Sequence, residues 1–254
     1  MGPDPNASTQ TRWALNAAPA ACTLERTVRE PFSSVAIETV PGSDSYQLAV
    51  ANVDVKGVSS LLPASLRFEP SQEEVTGYVA SAKLSNGTPV IFMRGLPTSV
   101  MDQLAKASSI SVAAGSEIKG SAQTPNAAAA LSALRKCEAE QLIDWGADAS
   151  QFAPGGKAPV ALKHRDEWIA NGDLMRIARQ SKRPRIDDGF RVAVTQEGVV
   201  EDCHALATST EDDLEKTACA AVTGKRLFTP ATDGVGRTVR GAATFRVILI
   251  RRPA

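Results

Sequence analysis

Four cysteines place the strongest constraint on how this chain of 254 residues can fold. Cys203 and Cys219 lie near each other in the sequence, whereas Cys22 and Cys137 lie far apart in the first part of the chain. A structural zinc site needs ligand pairs separated by about two to four residues, and no two of these cysteines have that spacing. The cysteines therefore predict no metal site, and they leave disulfide bonds or reduced thiols as alternatives.

His204 follows Cys203 directly, and a cysteine nucleophile needs a base within reach. The residues around the pair alternate as in a β-strand, where successive side chains point to opposite faces. The two side chains would then point apart. We predict no catalytic residue at this position.

Two disulfide bonds fit the pattern better than four reduced thiols do. Cys203 falls on the second strand of a predicted hairpin, and Cys219 falls on the inward side of the helix pattern that follows it. Cys22 and Cys137 would then join the first strand of the first segment to its last helix. In the chain-entropy model the short loop contributes about 3 kcal/mol, and the long loop nearer 5 kcal/mol as an upper limit. Because disulfides persist outside reducing compartments, this pairing predicts a protein outside the cytosol. Four reduced cysteines in a cytosolic protein remain the alternative.

Short strand patterns separated by turn residues fill the first segment, from Trp13 to about Ile118. The clearest are "SSVAIETV", "YQLAVANVDV", "ASLRFEP", "GYVASAKL" and "TPVIFMRG". Helix patterns follow in "SVMDQLAKASS" and, most clearly, over Asn126–Gly146. We predict a mainly antiparallel β domain over residues 12–148 that ends in a helix.

Residues 149–159 lose periodicity and are rich in Pro and Gly, which predicts a linker. Residues 160–254 then form a second predicted domain. Its patterns are a hairpin over "FRVAVTQEGVVEDCHALATS", a helix over "EDDLEKTACAAVTG", and a closing strand at Thr238–Ile250. They predict a three-stranded antiparallel sheet covered by one or two helices, and the fold class of the whole chain is α+β.

The second segment resembles the C-terminal domain of the TonB family over about Asp173–Ile250. The hairpin quoted above resembles the family's strand, turn and strand; "LEKTACAAV" resembles its helix; and "KRLFTPATDGVG" resembles its Arg-(Phe/Tyr)-x-Pro-Ala…Gly signature. A cysteine on the second strand and another on the helix resemble a periplasmic subgroup of the family. The chain departs from the family where Leu174 and Met175 replace a Tyr-Pro pair.

The resemblance implies a periplasmic protein that uses a TonB-like fold to recognise an envelope protein, with a TonB-dependent outer-membrane receptor as a candidate partner. The expected mode is addition of a peptide strand to the closing strand. The residues predicted to bind are Arg237, Thr238, Arg240, Thr244 and Arg246. Arginines on an edge strand also guard it against aggregation, and the sequence leaves both roles open.

Composition and motifs argue against other classes of function. Lys and Arg number 28 and Asp and Glu number 28, so no net charge draws the chain to nucleic acid. No run of about 18 apolar residues predicts a membrane span, and "MGPDPNASTQT" at the start lacks the pattern of a signal peptide. No hydrolase, metalloprotease or P-loop motif occurs, so we predict neither enzyme activity nor a cofactor. A periplasmic hydrolase with an unrecognised site is the alternative.

Overall fold

The computed structural model describes residues 12–53, 61–116, 118–181, 183, 185–207 and 210–250. The residues at the start of the chain, for which the sequence predicts no signal peptide, lie outside this range.

The chain folds into two compact units, which we describe separately. The first comprises Met1–Val40 and Asp44–Cys137, and the second comprises Pro41–Ser43 and Glu138–Ala254. The division falls before the boundary that the sequence predicts at residue 148. Residues 149–159, predicted to be a linker, belong to the second unit, where Ala149–Phe152 form a 3-10 helix and Gln151 is buried.

The described residues contain four α-helices and sixteen strands, and the predicted α+β class is confirmed. Nine strands of the first unit form one antiparallel sheet with the shape of a half-barrel, in the order β1-β2-β3-β4-β7-β6-β5-β8-β9. Their bounds are β1 Ala14–Ala17, β2 Cys22–Thr27, β3 Ser34–Thr39, β4 Tyr46–Ala51, β5 Leu62–Glu69, β6 Glu74–Lys83, β7 Pro89–Leu96, β8 Ser109–Ala114 and β9 Ile118–Gln123.

Two helices, α1 (Thr98–Lys106) and α2 (Ala127–Asp144), contribute to the core of the first unit. In β3 buried residues alternate with half-buried ones, as expected when one face of a strand packs on a core. From α1, Met101 and Leu104 are fully buried in this core, and Leu134 of α2 is equally buried. The strand patterns and both helix patterns read from the sequence are therefore confirmed, except that the last two residues of "YQLAVANVDV" lie outside the described residues.

The second unit contains a three-stranded antiparallel sheet in the order β12-β11-β16, as the sequence predicts. These strands are β11 (Arg185–Val194), β12 (Val200–Ala205) and β16 (Gly241–Ile250). Two helices, α3 (Asn171–Gln180) and α4 (Asp212–Val222), contribute to the core on one face of the sheet. The remaining strands are short pairs: β10 (Val160–Ala161) with β13 (Phe228–Thr229), and β14 (Ala231–Thr232) with β15 (Thr238–Val239).

Aromatic side chains fill the centre of this second core. Trp168 packs edge-on against Phe228, with ring centroids 5.1 Å apart, and against Phe245 at 5.8 Å. Phe190 stacks on Phe245 with a centroid distance of 5.0 Å. These contacts join β13, the central strand β11 and the edge strand β16 in one hydrophobic cluster.

Both predicted disulfide bonds are present. Cys22 of β2 is bonded to Cys137 of α2 with a Cα–Cα distance of 6.2 Å, and Cys203 of β12 is bonded to Cys219 of α4 with a distance of 5.4 Å. Each bond therefore joins a strand to a helix inside one unit. Two disulfides are compatible with a location outside the cytosol.

Candidate functional site

β16, the closing strand, lies at an edge of its sheet. It is ten residues long and pairs with β11 along its whole length, from Gly241 opposite Val194 to Ile250 opposite Arg185. In the described part of the chain no other strand pairs with it. The prediction that the closing strand is an edge strand is thus confirmed.

The direction of each backbone group in β16 follows from a hydrogen bond on the other side of β11. The N–H of Leu206 donates to the C=O of Gly189 at 2.9 Å, so Gly189 directs its backbone groups toward β12. Successive residues of a strand direct these groups to opposite sides, so Phe190 directs its groups toward Phe245, its partner in β16. Phe245 therefore points its own N–H and C=O inward, toward β11.

The same alternation places the N–H and C=O groups of Thr244, Arg246 and Ile248 on the outer side of β16. Among the described residues, no backbone hydrogen bond joins these groups to another segment. A row of unpaired, evenly spaced donors and acceptors is the surface on which an additional strand can form a ladder.

The beginning of this edge is covered by Pro41–Ser43, which belong to the second unit. A Cβ placed on Gly42 would lie 2.6 Å from the C=O oxygen of Ala242 and 2.4 Å from the Cα of Ala243, so the two backbones are in direct contact. Thr244 is itself only 2% exposed, so the uncovered edge extends from Phe245 to the end of β16. It has the length of a peptide of about six residues.

Side chains alternate along the uncovered edge. Phe245 and Val247 face the core, whereas Arg246 and Ile248 face the other side of the sheet, where Ile248 is 50% exposed. Arg246 places its Nη2 at 2.5 Å and its Nε at 3.0 Å from Oδ1 of Asp187 in β11. Thr244 is buried, and its hydroxyl donates to the C=O of Pro41 at 2.7 Å.

The other three residues predicted to bind lie outside β16. The predicted strand Thr238–Ile250 is divided into β15 and β16 at Arg240, whose C=O accepts a hydrogen bond from the N–H of Asp148 at 2.9 Å. Thr238 pairs with Thr232 in the separate β14–β15 ribbon. Arg240 forms an ion pair with Glu201, with Nη2 2.6 Å from Oε2.

Arg237 closes the turn of the β14–β15 ribbon. Its Nε lies 2.7 Å from Oδ2 of the buried Asp233, and Oδ1 of Asp233 accepts the N–H groups of Val235 and Arg237. The backbone N–H of Arg237, followed by its guanidinium and the N–H of Val235, holds the pKa of Asp233 below its usual value against the effect of burial. The five predicted binding residues thus divide into two on β16 and three on the ribbon and its connection.

The opposite edge of the sheet, β12, is occupied. The N–H of Gly224 donates to the C=O of Val200 at 2.8 Å, and the N–H of Val200 donates to the C=O of Lys225 at 3.0 Å. At the other end of β12, the N–H of Ala205 donates to Oε1 of Glu215 in α4 at 3.0 Å. The disulfide fixes the middle of the strand to α4. Strand addition is therefore open at β16 and obstructed at β12.

His204 has the carboxylate neighbours that orient a base, but the adjacent sulfur is not a thiol. Its Nε2 lies 3.0 Å from Oδ2 of Asp202, and its Nδ1 lies 3.7 Å from Oε1 of Glu215. Cys203 is in the disulfide and cannot act as a nucleophile. The described residues contain no group of three or more His, Cys, Asp and Glu side chains that could hold a metal ion.

The sheet of the first unit carries an open groove of about 340 Å³ on its face. Small side chains such as Ala36 and Ala49 line it together with Phe92, and its described lining includes neither histidine nor cysteine. Polar and charged residues, among them Ser34, Glu38 and Lys83, also line the groove, so its surface is mixed.

In the described part of the chain, no helix is both long enough and apolar enough to cross a membrane. No family model, curated protein or solved structure matches this chain.

Proposed function

We propose that this chain is a periplasmic binding protein whose second unit recognises an extended segment of an envelope protein by adding it as a strand to β16. A TonB-dependent outer-membrane receptor is the candidate partner that the family resemblance implies. The proposal places the recognition surface on the uncovered edge, Phe245–Ile250, and assigns no catalytic role to the chain.

The unpaired outer edge of β16 carries the proposal. Long edge strands in other proteins are shortened, covered or bulged, because unpaired N–H and C=O groups promote aggregation. Here the covering by Pro41–Ser43 stops at Thr244, and Ile248 adds half-exposed apolar surface beside the unpaired backbone. Backbone hydrogen bonds would supply affinity, and the alternating side chains would supply selectivity.

Two further observations support the periplasmic assignment. Each unit contains a disulfide that joins a strand to a helix, and disulfides form and persist in oxidising compartments such as the periplasm. A three-stranded antiparallel sheet with helices on it is also the arrangement that the resemblance to the TonB C-terminal domain implies. Fractionation of the source cells tests the compartment: we expect the oxidised chain in the periplasmic fraction, and reduced chain in the cytosol would contradict this assignment.

A selection from a library of displayed heptapeptides with free C-termini tests strand addition. We expect wild-type protein to enrich extended peptides with alternating apolar residues, and Ile248→Pro to lower their affinity by at least about tenfold because proline removes an outward N–H and its ring blocks the edge. The N–H of residue 248 does not point toward β11, so this substitution leaves the existing ladder intact.

Ile248→Ala is the matched control, because it shortens the same side chain and keeps the N–H. We expect it to retain most of the affinity in fluorescence anisotropy titrations. Equal binding by wild type and Ile248→Pro, with both proteins folded by circular dichroism, would show that peptides bind elsewhere and would refute strand addition at β16.

A further inference from the structure

Arg165 of the second unit is a half-buried cation with no carboxylate beside it. It begins the 3-10 helix Arg165–Glu167, and its Nη2 lies 3.5 Å from the C=O of Gly42, at the limit of a hydrogen bond. Its guanidinium carbon lies 5.9 Å from the ring centroid of Trp168. Among the described side chains, no Asp or Glu forms an ion pair with it.

Several other arginines of this unit are matched to acids. Arg183 forms an ion pair with Asp188, Arg240 with Glu201, and Arg246 with Asp187. Burial lowers the pKa of Arg165 without a compensating acid, whereas the hydrogen bond to Asp188 raises the pKa of Arg183. An arginine that loses water without gaining an anion is costly to the fold, so a ligand that supplies the anion would be favoured.

Arg165 is connected to the beginning of the uncovered edge of β16 through two neighbouring residues, Gly42 and Trp168. Gly42, whose C=O faces the guanidinium, is in backbone contact with Ala243. Trp168, which lies beneath the guanidinium, packs against Phe245. Arg165 therefore lies near the first uncovered residue of the strand, on the side of its core face.

A strand added to β16 would bring one of its ends to this point. Antiparallel pairs are commoner than parallel ones, and in an antiparallel pair the C-terminal end of the peptide would lie beside Phe245. A guanidinium binds a carboxylate through two parallel hydrogen bonds, which lysine and neutral donors cannot reproduce. The terminal carboxylate of a peptide and an Asp or Glu side chain near its end both have this chemistry.

We propose that Arg165 is a specificity-determining residue that binds a carboxylate at the end of the strand added to β16. This inference rests on the proposed function, because it assigns the chemical class of the segment recognised at the same edge. It predicts that the partner segment ends at a carboxylate, either the C-terminus of the partner or an acidic side chain.

The heptapeptide selection, repeated on Arg165→Met, tests the inference. Every displayed peptide already has a terminal carboxylate, so the selection reports on acidic side chains: we expect wild type to enrich Asp or Glu near the end of the peptide if a side chain supplies the carboxylate, and Arg165→Met to enrich the same apolar pattern without an acidic residue. For synthetic peptides, replacing the carboxylate by an amide should weaken binding to wild type by about tenfold or more and leave binding to Arg165→Met unchanged. Amidation of the C-terminus and exchange of Glu for Gln distinguish the two sources of the carboxylate.

Arg176→Met is the matched control. It removes the same charge from the same unit, at an exposed arginine of α3 that is paired with Asp173. We expect it to retain the carboxylate preference. If wild type binds acid and amide peptides equally, the inference is wrong and the proposed strand addition stands. If Arg176→Met loses the preference as Arg165→Met does, general electrostatic attraction explains it and the assignment to Arg165 is wrong.

A measurement without any peptide strand separates the two proposals further. N-acetylglycine, which carries one carboxylate, should shift the Nε–H resonance of Arg165 in NMR spectra at millimolar concentration, and N-acetylglycinamide, which carries none, should not. A selective shift supports a carboxylate site even if no heptapeptide binds, in which case only strand addition fails. Absence of the shift, together with absence of a carboxylate preference in the peptides, overturns the inference.

Discussion

The two units each use one disulfide to fix a helix to a sheet, yet they treat their sheet edges differently. In the first unit the outermost strand β1 has only four residues, and Pro31 and Phe32 pack closely against Gly120 of the other outermost strand, β9. In the second unit the disulfide and its surrounding hydrogen bonds occupy β12, while the outer edge of β16 remains uncovered from Phe245 onward.

This comparison shows how a disulfide can serve two purposes in one chain. Cys22–Cys137 closes a loop of 115 residues and so stabilises the first unit against unfolding of most of its length. Cys203–Cys219 spans 16 residues and fixes an edge strand to its own helix. The bond that closes the shorter loop stabilises less in the entropy model. Because it occupies β12, β16 is the edge of the sheet that remains available for pairing.

Removal of the disulfides should give the largest difference between the two units in the loss of unfolding free energy. Cys22→Ala with Cys137→Ala is expected to lower the free energy of unfolding of the first unit by up to about 5 kcal/mol, and Cys203→Ala with Cys219→Ala to lower that of the second by about 3 kcal/mol. Hydrogen exchange measured by mass spectrometry across a urea series resolves the two units. A larger effect at the shorter loop would contradict the loop-length argument.

Substitution of two glycines with positive φ, one in each unit, should give a smaller difference in stability. Gly198 has φ +81°, and a Cβ there would lie 1.9 Å from the C=O oxygen of Phe228, whereas Gly87 of the first unit has φ +85° and nothing within 4 Å. Gly198→Ala should therefore destabilise its unit by about 3 kcal/mol, and Gly87→Ala by about 1 kcal/mol, because only the first adds a backbone clash to the strain.

Urea midpoints of the two variants, each compared with wild type, measure this contrast. Gly198 lies in the hairpin turn between β11 and β12, where its positive φ is the conformation that favours glycine. Equal losses at the two glycines would show that the chain near Phe228 relaxes, and that the turn is not held as tightly as its contacts indicate.

Lowering the pH should give the smallest difference in stability between the two units. Asp233 is buried in the β14–β15 turn, and Glu74 is an exposed residue of β6 whose pKa is lowered first by a hydrogen bond with Ser65 and then by Arg67. A folded-state pKa below the ordinary value gives stability that is present above the ordinary pKa and is lost as pH falls through the folded one. Both carboxylates therefore stabilise the chain near neutral pH.

We expect the stability difference between wild type and Asp233→Asn to narrow as the pH falls from about 5 to about 2. The corresponding difference for Glu74→Gln should be smaller and should shrink in salt, because an exposed pair is screened. Urea midpoints at each pH provide the measurement. A difference at position 233 that does not change with pH would assign its role to packing and not to charge.

Local sequence patterns predicted much of this fold. The pattern "SSVAIETV" predicted β3, the helix pattern over Asn126–Gly146 predicted α2, and the hairpin pattern in "FRVAVTQEGVVEDCHALATS" predicted β11 and β12. These features depend on residues that are neighbours along the chain, so their spacing is sufficient. The pairing of Cys203 with Cys219 was predictable for the same reason, because the strand and the helix that carry them are adjacent in sequence.

The candidate site was only partly predictable. The sequence identified the closing strand, but it also placed Thr244 among the exposed binding residues, and the structure buries this side chain against Pro41. Arg165 was not identified at all, because nothing near it in the sequence marks it as a cation without an acid.

By itself the sequence determined the α+β class, the hairpin, helix and strand of the second unit, and the two disulfide partnerships. Only the tertiary structure decided which edge of the small sheet is covered and where the cover ends. It also showed that Arg165 lies near this point without a carboxylate partner among the described side chains. The reason is distance along the chain: Thr244 and Pro41, which meet at the end of the cover, are 203 residues apart. Periodicity describes neighbours, and contacts between segments so far apart exist only after folding.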